Sequence, residues 1–364
     1  MLPYVAAFIW ATLIAGLFGT RYGSVLDRDR FWLSGTVITL GFVASAPLVF
    51  LLAFRFEVGT DYAAYVEIYQ AYLDGDGPVK AYEPLYALLN RSATHLGDWG
   101  IVLVFGVAAA LATVPVMWRV MQSSHVPWLS VVVLFGMTYP FLATNAVRFV
   151  IAVSVLFFLL PAVWQKKLKI WIAGSLFSAG FHYTALLMLP FYWILRRNWS
   201  AVTACVLLLL AVLLSTQKGM AHMFLEAISS VLPKTYAHYP GRVLDRLGDY
   251  RFGFGYVWYI FASFFVLLFW RRVGRLGLAE TVIRNAFFLG IVIMIGSYQF
   301  WTVNRIGWFF WIAGALYWPL VTYRLFGRGR LLFFGGLVLI HMLLFVQALW
   351  VGSHDAFPYQ SILP

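Results

Sequence analysis

Three ionisable side chains follow directly after an apolar run long enough to cross a bilayer: Arg55, Glu57 and Asp61. An arginine placed there can hold an anionic group, and a nearby carboxylate can accept the proton of a hydroxyl nucleophile. The alternative interpretation is structural. A juxtamembrane ion pair would anchor the helix end, and residues 59–61 would cap the next helix. Spacing does not decide between these two interpretations.

A further carboxylate is flanked by aromatic residues in Tyr82-Glu83-Pro84-Leu85-Tyr86. Proline and an acidic residue at these positions are typical of a helix start, so capping is the favoured interpretation of Glu83. An aromatic-flanked carboxylate is also a common way to hold a sugar. Sugar stacking and an interfacial aromatic belt both fit the tyrosines of this segment. Those tyrosines are Tyr62, Tyr65, Tyr69, Tyr72, Tyr82 and Tyr86.

Two more arginines lie where we expect the outer ends of helices. Asn145 and Arg148 open a helix before the apolar run 149–160, and Asn304-Arg305 repeats the arrangement between two aromatic-rich helices. Because basic residues are normally retained on the cytoplasmic side, an outward arginine indicates an anionic ligand more than an anchor. Helix N-termini also favour phosphate, so backbone and side chain would act together.

His182 lies at residues 181–184, where we expect two short helices to meet. A histidine buried in a bundle is usually satisfied by hydrogen bonds, but at a cavity-lining break its imidazole can accept a hydroxyl proton. The candidates for a general base are therefore His182, Glu57, Asp61 and Glu83, with the first two favoured. No HxxxH, HExxH or paired-aspartate spacing occurs nearby, so we expect no protein-held metal.

The composition is that of a polytopic membrane protein. Of 364 residues, 62% are hydrophobic and only 11% charged, and the apolar residues fall in long blocks between short charged turns. The net charge of +12 comes from basic residues scattered at block ends, which excludes a nucleic-acid partner. Cys205 is the only cysteine, so disulfides within the chain are excluded. Block 3–19 lacks a basic leader and a cleavage site, and we expect a retained helix there.

We therefore predict an all-α fold, a single membrane domain over residues 1–364. It would be a polytopic transmembrane helix bundle of about twelve membrane segments, including short or broken helices. The predicted segments are 3–19, 31–54, 99–118, 126–142, 149–164, 170–181, 184–195, 199–215, 256–270, 283–300, 306–323 and 331–352.

Placing the basic turns on the cytoplasmic side gives a topology with both termini outward. Between Lys169 and Arg196 lie 26 residues, which as one helix would rise about 39 Å and carry one basic cluster across the membrane. Two short helices that meet near His182 keep both clusters inside. Such breaks expose backbone, which a membrane protein tolerates where the break lines a cavity.

The outer face carries most of the acidic residues in this topology. Of the 14 acidic residues, only three fall on the inner side: Asp27, Asp29 and Glu280. The outer face also holds two large segments, 55–98 and 216–255. The first is predicted to form amphipathic helices at 62–73 and 83–95, and the second an interfacial helix at 220–232. These features favour a polar site that faces outward.

Six stretches, in order along nearly the whole chain, resemble the EpsG family. They are RFEVGTDYAAY at 55–65, YEPLYALLN at 82–90, NAVRFVIA at 145–152, FHYTALLMLP at 181–190, NRIGWFF at 304–310 and PYQS at 358–361. Members of that family are bacterial inner-membrane proteins of exopolysaccharide synthesis, regarded as Wzy-like polymerases. The chain departs from the family where Phe149 follows Arg148, a position often held by glutamine. Segment 216–255 carries no resemblance, so we expect substrate identity to reside there.

The resemblance implies a GT-C-like glycosyltransferase that needs neither metal nor cofactor. It would join oligosaccharide repeat units, carried on undecaprenyl pyrophosphate, at the periplasmic face of the inner membrane. Membrane lipid, a flippase and a chain-length regulator would be its partners. The implied pyrophosphate-binding residues are Arg55, Arg148 and Arg305. The implied substrate-binding residues are Tyr62, Tyr82, Asn145 and Asn304.

Rival functions remain open on the sequence. An O-antigen-type ligase would use the same donor with another acceptor, and a transferase with a lipid-monophosphate donor would add single sugars. A transporter of lipid-linked sugars needs a path open to both sides. An acyltransferase is a more distant alternative, supported only by the membrane-embedded histidine.

Overall fold

A computed structural model describes residues 1–19, 35–75, 77, 82–216, 253–270, 276–298, 301–325 and 328–363. The predicted interfacial helix at 220–232, most of segment 216–255 and the basic clusters at 21–30 and 271–275 lie outside the described residues. The part that is described is all helical, and its only β-type pairing is an isolated bridge between Arg55 and Ser361.

The first half of the chain alternates long and short helices. They are α1 (Leu2–Ile14, continued as a π-helix over Ala15–Gly19), α2 (Gly35–Ala53), α3 (Tyr62–Leu73), α4 (Pro84–Ala93), α5 (Gly100–Ser123), α6 (Pro127–Gly136), α7 (Tyr139–Asn145), α8 (Val147–Phe158) and α9 (Leu160–Trp164). A 3₁₀-helix, Thr94–Trp99, joins α4 to α5. The two amphipathic helices predicted within 55–98 are confirmed as α3 and α4.

The second half continues in the same way. Its elements are α10 (Leu168–Ala179), a 3₁₀-helix (Tyr183–Met188), α11 (Phe191–Ile194), α12 (Ala201–Thr216), α13 (Phe254–Phe269), α14 (Leu278–Gly296), α15 (Trp301–Trp311), α16 (Gly314–Arg324), α17 (Arg328–Trp350) and a final 3₁₀ turn (Ser353–Asp355).

Four helices are long and apolar enough to cross a membrane, and the number rises to six if each of two bent pairs is one span. The four are Gly35–Ala53, Pro84–Ser123, Leu278–Gly296 and Gly329–Trp350. The second is a continuous helical stretch made of α4, the 3₁₀-helix and α5. Further apolar helices of 10–17 residues accompany them, among them α8, α10 and α12. The described residues therefore form a membrane-type helical bundle.

Several segments predicted as single helices are broken. Segment 126–142 divides into α6 and α7, bent by 52°, because Thr138 adopts a left-handed conformation (φ 62°) and Pro140 cannot donate a helical hydrogen bond. Segment 306–323 divides into α15 and α16 with a 40° bend, where Ala313 and Ala315 donate to carbonyls three residues back. The single-helix predictions were wrong at both places.

Proline also explains two smaller differences between the predicted helices and the structure. Segment 149–164 breaks at Leu159, two residues before Pro161. Segment 184–195 is a 3₁₀-helix followed by the short α11, which begins directly after Pro190. The predicted break near His182 is present, since α10 ends at Ala179. Beyond it the chain turns back, and the indole of Trp171 in α10 donates to the Met188 carbonyl (3.2 Å).

The core lies between α2, α5, α6, α8, α14 and α17, whose buried residues form one continuous apolar cluster. Large aromatic side chains fill its centre, including Phe135, Phe141 and Phe345. Phe345 of α17 stacks on Phe141 with ring centroids 5.9 Å apart and meets Phe135 edge to face at 5.4 Å. This packing fixes α17 against α6 and α7, so the chain that follows α17 emerges beside the segment that follows α2.

Candidate functional site

The segment after α2 is held by the last residues of the chain. The backbone N–H of Phe56 donates to the Gln360 carbonyl, and the N–H of Ile362 donates to the Phe54 carbonyl, both at 3.0 Å. These bonds flank the bridge between Arg55 and Ser361. The first and last of the six family-like stretches are therefore neighbours in space.

A second set of bonds holds residues 59–61 between the C-terminal turn and the end of α7. The N–H of Gly59 donates to the Asp355 carbonyl (2.9 Å). Asn145 accepts hydrogen bonds at Oδ1 from the Thr60 hydroxyl and from the Asp61 N–H (3.0 Å). Gly59 is required here because its φ is +98°, and a Cβ would collide with the Thr144 carbonyl oxygen. Asn145 is the last residue of α7, and α8 begins at Val147. The prediction that Asn145 begins the helix that contains Arg148 was therefore wrong.

The Glu83 side chain lies between a cation and an imidazole. It is only 2% exposed. One carboxylate oxygen accepts a hydrogen bond from Nη1 of Arg148, and the other lies 3.1 Å from Nδ1 of His182. Burial by itself would raise the pKa of Glu83, but the hydrogen bond with His182 and the charge of Arg148 hold it below its usual 4.5. The carboxylate stays ionised at neutral pH.

The interpretation of Glu83 as a helix cap is wrong. Glu83 occupies the N-cap position of α4, but its side chain makes no capping bond. The Gly180 carbonyl at the break after α10 takes that role, because it accepts the N–H groups of Leu85 (2.8 Å) and Tyr86 (3.3 Å). The same contact brings His182, two residues later, against Glu83. Phe149 packs edge-on to the His182 ring at 5.5 Å.

Aromatic rings surround the Arg148 guanidinium. Its Cζ atom lies 4.9 Å from the ring centre of Tyr82 and 5.4 Å from that of Tyr86. These cation–π contacts orient the guanidinium while Glu83 neutralises it. Tyr86 in turn meets Tyr65 of α3 with ring centroids 6.0 Å apart. Three tyrosines of segment 55–98, Tyr65, Tyr82 and Tyr86, are thus part of the site wall.

Arg55 is buried, and no acidic side chain in the described part of the chain forms a hydrogen bond with it. It is 2% exposed, and its guanidinium lies 4.2 Å from the ring centre of Phe105. Among the described residues, neither Nε nor Nη2 of Arg55 has a hydrogen-bond partner. Burial lowers the pKa of Arg55 to about 10, while nearby tyrosines such as Tyr65 and Tyr4 oppose the shift, so it remains a cation at neutral pH.

Asp61 connects the three predicted arginines. It stands at the N-cap of α3, but its side chain makes no capping bond. Burial raises the pKa of Asp61, and the positive charges of Arg305, Arg148 and Arg55 oppose that shift. All three guanidinium groups therefore lie within electrostatic reach of one carboxylate.

The remaining predicted residues differ in their surroundings. Tyr62 packs on Phe105 at 5.5 Å and so lies beside Arg55. Glu57 is exposed and has an unusual positive φ of 52°. Asn304 donates to the Met294 carbonyl (3.1 Å) and ties α15 to α14. Its amide is used within the protein.

His354 was not singled out from the sequence, yet it lies in the site. The Asn145 amide lies 3.4 Å from its Nδ1, and its backbone carbonyl accepts the Thr60 N–H at 3.2 Å. Burial lowers the pKa of His354, and the charge of Arg305 lowers it further. The available signal was positional. Like Arg55, His354 follows an apolar run directly.

No group of three or more His, Cys, Asp or Glu side chains within the described ranges is arranged to hold a metal ion. The charges that face one another are instead guanidinium, carboxylate and imidazole. Such a set can bind an anion through the arginines and move a proton through a histidine that a carboxylate orients.

The fold and this site define a class, namely an all-helical membrane protein with a charged, tyrosine-walled site built from distant parts of its chain. A family model matches residues 38–361, and the chain belongs to the EpsG family. The resemblance drawn from the six stretches is thereby confirmed, and the chain is a membrane protein of exopolysaccharide biosynthesis. Neither the curated proteins nor the solved structures contain a match to it.

Proposed function

We propose that this protein is a polymerase that joins oligosaccharide repeat units carried on undecaprenyl pyrophosphate. The observation that carries the proposal is the buried Glu83 carboxylate, bonded at once to Arg148 and to His182. An ion pair that only anchored a helix would need no imidazole. A carboxylate that orients an imidazole beside a cation is instead suited to deprotonate a hydroxyl close to a bound anion.

In this proposal His182 is the general base. Glu83 accepts the hydrogen of Nδ1, which leaves Nε2 as the proton acceptor. The acceptor sugar hydroxyl gives its proton to Nε2, and its oxygen bonds to the anomeric carbon of the donor. The bond from that carbon to the pyrophosphate oxygen breaks, and the lipid pyrophosphate leaves with the electron pair. Glu83 is a positioning residue, since it acts through His182.

The arginines stabilise the leaving group. Negative charge grows on the pyrophosphate as the glycosidic bond breaks, and guanidinium groups bind phosphate in a forked geometry. Arg55 has two buried N–H-bearing nitrogens without partners among the residues that the structure describes, and Arg305 acts on Asp61 from α15. Arg148 is already paired with Glu83, so in this scheme it both orients that carboxylate and adds positive charge. Tyr62 and Tyr82 provide aromatic faces for the sugar.

The proposal includes the membrane arrangement. The chain would be one domain with a GT-C-like organisation at the periplasmic face of the inner membrane, both termini outward. The described helices would reach twelve membrane segments if the six shorter apolar helices also enter the bilayer. A flippase would deliver the lipid-linked unit, and a chain-length regulator would act on the product.

The test is polymerisation in a defined system. Purified protein in liposomes is incubated with lipid-linked repeat units, and products are separated by length. The wild type should give a ladder, whereas Glu83→Gln should lower kcat at least about 100-fold, as expected when general base catalysis is lost. KM should change little, because Glu83 acts on the base. Glu57→Gln is the matched control, an exposed carboxylate of the same outer segment, and should retain the ladder.

Other outcomes separate the rivals. A ladder from Glu83→Gln equal to that of the wild type would refute the role of the cluster. Addition of single sugars only would indicate a transferase with a monophosphate donor, and transfer to a non-repeat acceptor would indicate a ligase. Movement of lipid-linked units across empty liposomes without any polymer would indicate a transporter.

A further inference from the structure

A cavity of about 220 Å³ opens at the break between α6 and α7. The helices α13, α15 and α17 complete its wall. Four aromatic side chains line it, which are Trp258, Tyr259, Trp308 and Trp311. Its polar lining comes from Thr138, Gln347 and Ser353, and none of the described residues that line it carries a charge.

The helix break supplies backbone acceptors to this cavity. The Gly136 carbonyl lacks its helical partner, because residue 140 is proline and has no N–H. The N–H of Phe141, four residues after Met137, donates to the Thr138 carbonyl instead (3.1 Å). Gly136 and Met137 both line the cavity. Within a membrane bundle, backbone carbonyls left without helical partners are tolerated where they line a polar cavity.

Close packing preserves the break. A Cβ added to Gly136 would lie 2.5 Å from Cβ of His341 and 2.6 Å from its carbonyl oxygen, so α6 and α17 meet with no room for a side chain. His341 is fully buried. The cavity is therefore bounded by a rigid contact on one side, which favours a preformed site.

The residues that line the cavity favour a neutral ligand with a ring that carries hydroxyl groups. Indole faces pack against apolar ring surfaces, while carbonyl, hydroxyl and amide groups meet hydroxyl groups around the edge. A bound anion would find no cation among the described lining residues to neutralise it. A bound lipid chain would leave the polar groups of the lining without hydrogen-bond partners. The volume lies below the roughly 300–1,000 Å³ of pockets that hold drug-sized ligands, so it suits a single ring.

The cavity adjoins the charged site along three elements. Trp308 lies one helical turn after Arg305 on the same face of α15. Ser353 precedes His354, and Thr138 precedes α7, which ends at Asn145. A ring held in the cavity would thus belong to a molecule that also reaches the arginines.

We propose that this cavity is a saccharide subsite that holds one pyranose ring of the repeat unit. The inference rests on the proposed function for the identity of the molecule. Sugar binding itself does not require the reaction, so it is measured separately. Trp308 is the binding residue to test, because it lines the cavity and lies on the same helix as Arg305.

The experiment uses the full chain in lipid nanodiscs and the oligosaccharide repeat unit released from its lipid. Affinity is measured by calorimetric titration, and polymerisation kinetics by ladder assay. Trp308→Ala should weaken binding about tenfold and raise KM for the lipid-linked unit about as much, with kcat within about twofold. Trp308→Phe, which keeps an aromatic face, should retain most of the affinity. Trp350→Ala is the control, since Trp350 is 81% exposed on α17.

The outcomes divide cleanly. Unchanged affinity and KM in Trp308→Ala, with the unfolding temperature preserved, would overturn the subsite even if the ladder persists. A loss in kcat alone would do the same. If no ladder forms with any variant, yet wild-type binding depends on Trp308, the subsite stands and the polymerase proposal fails. If Trp308→Ala lowers the unfolding temperature, Gln347→Leu must weaken the binding instead, and unchanged binding there overturns the inference.

Discussion

Two arginines of this bundle are equally buried, but their hydrogen bonds differ. Arg119 of α5 donates from Nε (2.9 Å) and Nη2 (2.6 Å) to the Phe158 carbonyl at the end of α8, and from Nη1 to Gln122 and Ser123. Arg55 has two buried nitrogens without partners in the described part of the chain. Both guanidinium groups also face a phenylalanine ring.

The difference separates a structural arginine from one that is ready to bind an anion. Arg119 satisfies the last carbonyl of a helix, where a cation also suits the helix dipole. Arg55 is desolvated, and within the described residues no carboxylate forms a hydrogen bond with it and two of its nitrogens lack acceptors, although the charge of Asp61 lies within electrostatic reach. Such an arrangement costs stability and is retained in membrane proteins for function. Arg148 is an intermediate case, because Glu83 pairs with it.

The sharpest test of the comparison is Arg55→Met. We expect polymerisation to fall at least about 100-fold, because an interaction with the leaving group would be lost. The unfolding temperature should stay the same or rise, since an unpaired buried charge is removed. The ladder assay and a thermal melt in the same nanodiscs measure both. Normal chain lengths in this variant would exclude Arg55 from the site.

Arg119→Met should show the opposite pattern. It leaves the Phe158 carbonyl without the two N–H donors of Arg119, at a cost of about 1–3 kcal/mol for an unsatisfied buried group. The melting temperature should therefore drop, while activity per folded molecule stays within about twofold. A variant that melts like the wild type but makes no polymer would abolish the distinction between the two arginines.

The hydrogen bond of Glu83 with His182 and the charge of Arg148 predict a dependence on pH. The pKa of Glu83 is held below its ordinary 4.5, so its ionised form stabilises the fold. That contribution is fully present above about pH 4.5 and is lost as the pH falls through the lowered pKa. The difference in unfolding temperature between wild type and Glu83→Gln should therefore be constant from pH 7 to 5 and shrink below 4.5. A difference that grows on acidification would contradict the ion pair.

The smallest effect is expected at the aromatic wall of Arg148. Tyr82→Phe keeps the ring over the guanidinium at 4.9 Å and should change kcat/KM less than about threefold. Tyr82→Ala removes a cation–π contact worth about 0.5–2 kcal/mol and should lower kcat/KM about two- to thirtyfold. Equal losses in the two variants would show that the Tyr82 hydroxyl matters more than its ring.

The sequence allowed the membrane class, the family and the two amphipathic helices α3 and α4 to be predicted, because apolar blocks and amphipathic periodicity are local signals. The role of Glu83 could not be predicted from such local signals. The local pattern indicates a helix cap, but the carbonyl of Gly180, almost a hundred residues away, accepts the N–H groups at the start of α4 instead. The helix breaks at Thr138 and at 312–313 were not predicted for a related reason, because a uniformly apolar run gives little local signal of where a helix is interrupted.

The C-terminal tail has a consequence for how the protein matures. Residues 354–362 are synthesised about three hundred residues after Arg55, yet they form hydrogen bonds with the segment that carries it. Glu83, Arg148 and His182 can meet before α17 has been synthesised. The Arg55 loop, in contrast, gains its final shape only after residues 354–362 have been made, so a nascent chain without them has an incomplete site.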